Sequence, residues 1–254
     1  MQTYVRTLQF TGFTLLEYFR SARILIELIA MLAFFFVFLR RWGQGIDAQY
    51  FFTVTGVFTL VLTLYTNSAI IGLGDRPQGY IILARRVSRS SYLMGLYLTT
   101  VAIIAGVYGL ICIGTALYNP PVDLDMREWV LGTLPLLLNV GIMSALLLML
   151  SPLVFTSGWR LFILGLIAVA FSSNFIGGPM LQSLPGIAER ILRSAQTILS
   201  WPLVPAFQGF ALALSRNYSG PAFLVIAAQV SLLMAILGLA LYAFARRDLI
   251  FSTQ

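Results

Sequence analysis

Glu27 is a carboxylate inside an apolar run, "ARILIELIAMLAFFFVFL" (residues 22–39), four residues after Arg23. At that spacing the two share a helix face, so an ion pair or a side chain reaching toward the interface accounts for both. The competing reading is a carrier, because an ionisable group at membrane depth is costly and marks pathways for protons and substrates. Proton-driven exchange through Glu27 would have no second relay residue. Hydroxyls form the other pattern. Thr55, Thr59, Thr63 and Thr66 recur at i, i+4, i+8 and i+11, followed by Asn67 and Ser68, and another apolar run ends in Ser172, Ser173 and Asn174. Such a stripe can line a pathway. It serves equally well for close helix packing or for bonding carbonyls of its own helix.

Absent residue types exclude more than the present ones suggest. All sixteen basic residues are arginine, with no lysine and no histidine. A phosphate-binding GxxxxGK[ST] loop needs its lysine, so this chain does not hold ATP in that manner. Histidine general bases and histidine metal sites are excluded too. Cys112 is the single cysteine, so no intrachain disulfide forms and a thiolate cluster is not expected. Intramembrane synthases and proteases need aspartate clusters, or histidine with acid or serine partners, and neither occurs. Nothing resembles the charged ring or carbonyl filter of an ion channel. We expect no enzyme activity from the chain itself, and no bound cofactor or metal.

A third constellation is "DRPQGYIILARRVSRSSY", Asp75 to Tyr92. Pro77 and Gly79 break the preceding helix, and Tyr80, Ile81, Ile82 and Leu83 supply a short apolar face. Arg85, Arg86 and Arg89, with Ser88 between them, supply positive charge, and Ser90 and Ser91 are placed to cap the next helix. The stretch reads as a passive basic loop, or as an amphipathic knob that fits a groove on a soluble partner. Composition alone leaves both open.

These residues must be positioned by membrane helices. The chain has 254 residues, 59% hydrophobic and only 10% charged, with a mean hydropathy of +0.90. Runs of about 20 apolar residues cross roughly 30 Å of hydrocarbon, and several are present. The expected fold is all-α and membrane-embedded, one domain over residues 1–254, with six spans: 22–39, 51–73, 91–117, 129–156, about 160–176, and 221–245. Residues 4–20 place Val5, Leu8, Gly12, Leu15, Leu16 and Phe19 near one face, which predicts a helix in the interface plane; the alternative is an extension of the first span. With Arg6, Glu17 and Arg20 and no unbroken apolar core, this stretch does not read as a signal peptide. Between the fifth and sixth spans, Leu184 to Leu199 follow helical spacing and "LVPAFQGFALAL" is too short to cross. That predicts two short helices that dip into the outer leaflet and return, or an amphipathic helix resting on the headgroups.

The net charge of +7 bears on orientation before nucleic acid, which we do not expect as a partner. With a cytoplasmic N-terminus, ten arginines fall inside (Arg6, Arg20, Arg23, Arg76, Arg85, Arg86, Arg89, Arg160, Arg246, Arg247). Six fall outside (Arg40, Arg41, Arg127, Arg190, Arg193, Arg216). The excess favours both termini in the cytoplasm, against the local trend of Arg40 and Arg41.

This layout resembles the ABC-2 type transporter permease family along the whole chain. Many members carry, in the first cytoplasmic loop, a glycine, several apolar residues, "ARPVSR", an aromatic residue and "GK". Here Gly79, "YIIL", "ARRVSR" (Ala84 to Arg89), Tyr92 and Gly95 stand in that order, with Arg86 in place of the common proline and Leu96 in place of the common lysine. The ending "FARRDLIF", Phe244 to Phe251, is similar to the family's basic tail. The resemblance implies the membrane-spanning subunit of an ATP-driven transporter, with 75–92 as its coupling helix. It further implies an exporter of an amphipathic or apolar compound in a prokaryotic inner membrane. The partners implied are a second permease chain, two copies of a separate ATPase that holds ATP and Mg, and membrane lipid. The rival expectations are a non-transporting membrane anchor or assembly subunit, and a secondary transporter working through Glu27.

Overall fold

The computed structural model describes residues 2–40, 45–74, 88–154, 194 and 201–246. Among these residues every regular element is helical. They are α1 (Gln2–Arg20), α2 (Ile24–Phe34, continued by a π-helical turn Phe35–Leu39), α3 (Ala48–Gly74), α4 (Arg89–Tyr118), α5 (Met126–Met149), α6 (Val204–Ser215, after a 3₁₀ turn Trp201–Leu203) and α7 (Pro221–Arg246). Helices α3, α4, α5 and α7 are each long and apolar enough to cross a membrane, and the bent pair formed by α1 and α2 passes the same test jointly. This is a multi-pass membrane protein. Helices are the form that satisfies every backbone N–H and C=O without water, and apolar side chains then face lipid at little cost.

Helices α2, α3, α4 and α5 run alternately up and down, and α7 runs parallel to α5. At one end Arg89 Nη1 donates to Ala245 O, so the start of α4 meets the end of α7. At the other end Ala48 N, opening α3, donates to Asp123 Oδ1 just before α5, and Asn119 Nδ2 donates to Leu39 O at the close of α2. Arg216, closing α6 in a left-handed conformation, bridges Asp123 and Glu128 at 2.8 and 3.3 Å. These ends are called below the Arg89 end and the Arg216 end. Each has its own buried cluster. Phe10, Tyr18, Tyr92, Leu96, Leu237 and Phe244 pack at the Arg89 end, and Phe34, Phe51, Phe52, Ile104, Leu136 and Ala213 toward the Arg216 end.

Two expected boundaries shift. The fourth span ends at Met149, not 156, because Ser151–Val154 form a turn around Pro152, whose ring disfavours helical backbone before it. The cap of α4 is Ser88, not Ser90 or Ser91: Ser88 is extended (ψ 148°) and its hydroxyl accepts from Ser91 N at 3.2 Å. An N-cap side chain serves the donor three residues on, so the serine preceding the helix, and not those inside it, does the capping. The apolar face of α1 is its exposed side, with Val5, Leu8, Leu16 and Phe19 outward. The buried side is Thr7, Phe10, Thr14 and Tyr18, which pack on α4. The expected fifth span, 160–176, lies outside the described residues, as does the first short helix of 184–199 apart from Ser194, which is helical.

α1 meets α2 at a 73° bend, the chain turning through Ala22 at φ 57°. Its seat on α4 depends on Gly95, where a Cβ would come 2.3 Å from Phe10 Cδ1. The Phe10 ring also lies 4.9 Å from that of Tyr92, which stacks at 6.4 Å on Phe244. Gly95→Val is therefore expected to unseat α1 and cost about 1–3 kcal/mol, the usual range for overpacking. Thermal unfolding in detergent checks this, and adding Phe10→Ala, which vacates the space, should recover part of the loss.

Candidate functional site

The loop residues Tyr80, Ile81, Ile82, Leu83, Arg85 and Arg86 lie outside the described residues, but both stems of their loop are in view. The incoming stem is the end of α3. There Arg23 Nη1 donates to Ala69 O at 2.7 Å, and Thr66 Oγ1 donates to Glu27. The outgoing stem is the start of α4, capped by Ser88, with Arg89 bonded to Ala245 O and Tyr92 and Gly95 holding Phe10. α1 touches one stem directly and reaches the other through α2: Phe10 lies on α4, and Tyr18 OH donates to Glu27 Oε1 of α2 at 2.6 Å. Glu27 in turn receives Thr66 of α3. α1 thus braces the α4 stem directly and the α3 stem through Glu27 of α2.

Glu27 is fully buried. Its expected helix-face partner goes elsewhere, since the Arg23 guanidinium reaches the Ala69 carbonyl. Two hydroxyl donors converge on Oε1, and Oε2 has no hydrogen-bond partner. An ionised carboxylate away from water needs a paired cation, whereas an uncharged carboxyl needs only hydrogen bonds. The arrangement suits the uncharged form.

The threonine stripe faces the interior of the helix bundle. Thr55, Thr59, Thr63 and Thr66 are all buried. Thr55 donates to Phe51 O at 2.5 Å, Thr59 to Gly56 O at 2.9 Å and Thr63 to Thr59 O at 2.6 Å, within their own helix. Asn67 continues the line and joins three helices: Thr100 Oγ1 of α4 donates to its Oδ1 at 3.1 Å, and its Nδ2 donates to Ser144 O of α5 at 3.4 Å. Ser172 and Asn174 lie outside the described residues. With its hydroxyl bonded inside its own helix, Thr63→Val is expected to change stability by less than about 1 kcal/mol, a hydroxyl-to-methyl swap that strands no partner. The melting temperature in detergent reads it out.

Sequence reasoning missed a second polar junction, at the other side of α5. Gln229 Nε2 of α7 donates to Asn139 Oδ1 at 2.8 Å and to Pro135 O at 3.2 Å. Asn139 Nδ2 donates onward to Ala206 O of α6 at 3.0 Å. The approach is close enough that a Cβ at Gly209 would stand 1.8 Å from Gln229 Nε2. The available signal was a lone amide in each of two apolar runs, since polar side chains inside spans tend to bond between helices. Among the described residues no group of carboxylates and cysteines is placed to hold a metal ion. No family model, curated protein or solved structure matches this chain.

Proposed function

We propose that this chain is the membrane-spanning subunit of an ATP-driven exporter of the ABC-2 permease type. The observation that carries the reading is the double bracing of the loop 75–87. A basic loop that only marks topology has no need of fixed stems. Here one stem is tied through Glu27 and Arg23, the other through Phe10 and Ala245, with α1 joining them. A force applied to such a loop passes into α3 and α4 together.

The remaining features agree with the same layout. α1, turned 73° from α2 with its apolar side outward, lies along the interface before the first span. α6 is a half-length helix of 12 residues, about 18 Å, running from the depth of Asn139 to the surface at Arg216. It forms the returning limb of a re-entrant pair. With 160–176 as the fifth span there are six, the Arg89 end is cytoplasmic and the Arg216 end is outside, as the arginine census favours. Two such chains face each other, and two copies of a separate ATPase, which hold ATP and Mg, dock at the loops. The cargo is amphipathic or apolar.

A secondary transporter using Glu27 is the weaker reading. Both hydroxyls that reach Glu27 come from the protein, and Glu27 is closed to solvent. The test is purification of the full chain together with a candidate ABC-type ATPase from the same cell, followed by ATP hydrolysis in lipid vesicles. Copurification with vesicle-dependent hydrolysis supports the proposal. An ATPase equally active and fully soluble without this chain contradicts it.

A further inference from the structure

A cavity of about 430 Å³ lies between α3, α5 and α6. Its walls include Val57 and Leu60 of α3, Ile142 and Met143 of α5, and Phe207 and Phe210 of α6. Pockets that hold organic ligands fall in the range of roughly 300–1,000 Å³, so the size is sufficient.

We propose that this cavity binds one hydrocarbon chain of a membrane lipid. Water is a poor occupant. The volume equals about a dozen waters at ~30 Å³ each, and a buried water needs two to four polar partners. The polar side chain in the wall is Asn139, whose Nδ2 is committed to Ala206 O and whose Oδ1 receives Gln229. An empty space is also unfavourable, because lining atoms then lose dispersion contacts on one side. A hydrocarbon chain restores those contacts and asks for no hydrogen bond.

Shape and surroundings give the source. The α6 wall runs from Leu203 to Leu214, about 16 Å of helix rise, so the space is elongated along the helix. Val57 and Phe207, which line it, are 52% and 46% exposed, and Val57 stands on α3, a helix long and apolar enough to cross the membrane, so the opening is placed to face lipid. Beyond Leu214 the cation Arg216 is already shared between Asp123 and Glu128. It is not left to select an anionic headgroup, and the chain itself is what the site recognises. Moving a chain from bilayer to cavity brings packing and no net hydrophobic gain, so occupancy is sustained by the abundance of lipid around it. None of this depends on the ATPase partner proposed above.

The test uses the full chain in lipid nanodiscs containing a phospholipid with a photoactivatable diazirine in one acyl chain, mapped by peptide mass spectrometry. Labelling at Ile142, Met143, Phe207 and Phe210 is expected to exceed that at Leu224 and Met234, exposed positions on α7, by several-fold. Ala211→Phe, which fills the cavity, should bring cavity labelling down to the α7 level and leave α7 unchanged. Ala206→Leu is the milder filling variant, and the wild-type ratio stands even where a filled variant folds poorly. Equal labelling of cavity and α7 positions, labelling indifferent to both fillings, or crosslinks from these residues to a second copy of the chain would overturn the proposal.

Discussion

Under the proposed function, Ile82→Asp is expected to separate this chain from its proposed ATPase partner, or to leave an ATPase that hydrolyses without transport. The proposed docking face is Tyr80 to Leu83. A carboxylate forced into an apolar groove carries a desolvation cost of several kcal/mol. Buried anchors of an interface commonly contribute 2 kcal/mol or more, so an affinity loss of at least about 30-fold follows. Arg85→Ala acts differently. At the rim it should slow association and steepen the salt dependence with modest change at low salt. Binding of the purified ATPase to vesicles, titrated at two salt concentrations, separates the two variants. Should the Ile82→Asp chain bind and couple normally, the stretch is a topology marker and the docking assignment is wrong.

The second large effect is at Glu27. Replacing it with glutamine is expected to be mild, because an amide oxygen still accepts from Tyr18 and Thr66 in a site that holds an uncharged group. Glu27→Leu should be severe. It strands the Tyr18 and Thr66 hydroxyls without an acceptor, at about 1–3 kcal/mol for each buried group, and it unlinks α2 from both α1 and α3 at this point. Tyr18→Phe removes one donor and should fall between them. Melting temperatures of the three variants give the order, and protease cleavage near Arg20 reports release of α1. A glutamine variant as unstable as the leucine one would mean that Glu27 needs its charge, which contradicts an uncharged carboxyl. It would favour a cation or proton carrier instead.

Both effects trace to features with different visibility in the sequence. The spans were legible because a membrane imposes a length and an apolar composition on each one. The ranges expected at 51–73, 91–117 and 221–245 correspond to α3, α4 and α7 within a few residues. The short helix at 203–214 was legible from its length alone, and it forms Val204–Ser215. Partners were much less legible. Periodicity marks a buried face on a helix, but it does not say which helix lies opposite. Arg23 and Glu27 share a face at i, i+4, yet the nearest carbonyl and hydroxyls across the interface, Ala69 O and Thr66, draw them apart. Which side of α1 packs on the rest of the protein was likewise not written in its periodicity. In lipid the apolar side of a helix has no need to turn inward, so Thr7, Phe10, Thr14 and Tyr18 form the buried side. The glycine at 95 stood out only as part of a short motif, and its physical role, room for the Phe10 ring, emerges from the packing.

The account stands on the claim that the loop between α3 and α4 faces the cytoplasm and touches an ATPase. Its most direct test is a single cysteine at that position, Ile82→Cys on a Cys112→Ser background, in cells that also make the candidate ATPase partner. The predicted result is protection from an impermeant maleimide applied outside, together with a crosslink to the ATPase when a short thiol-to-amine reagent is admitted to the cytoplasm. Labelling of position 82 from outside intact cells would contradict it.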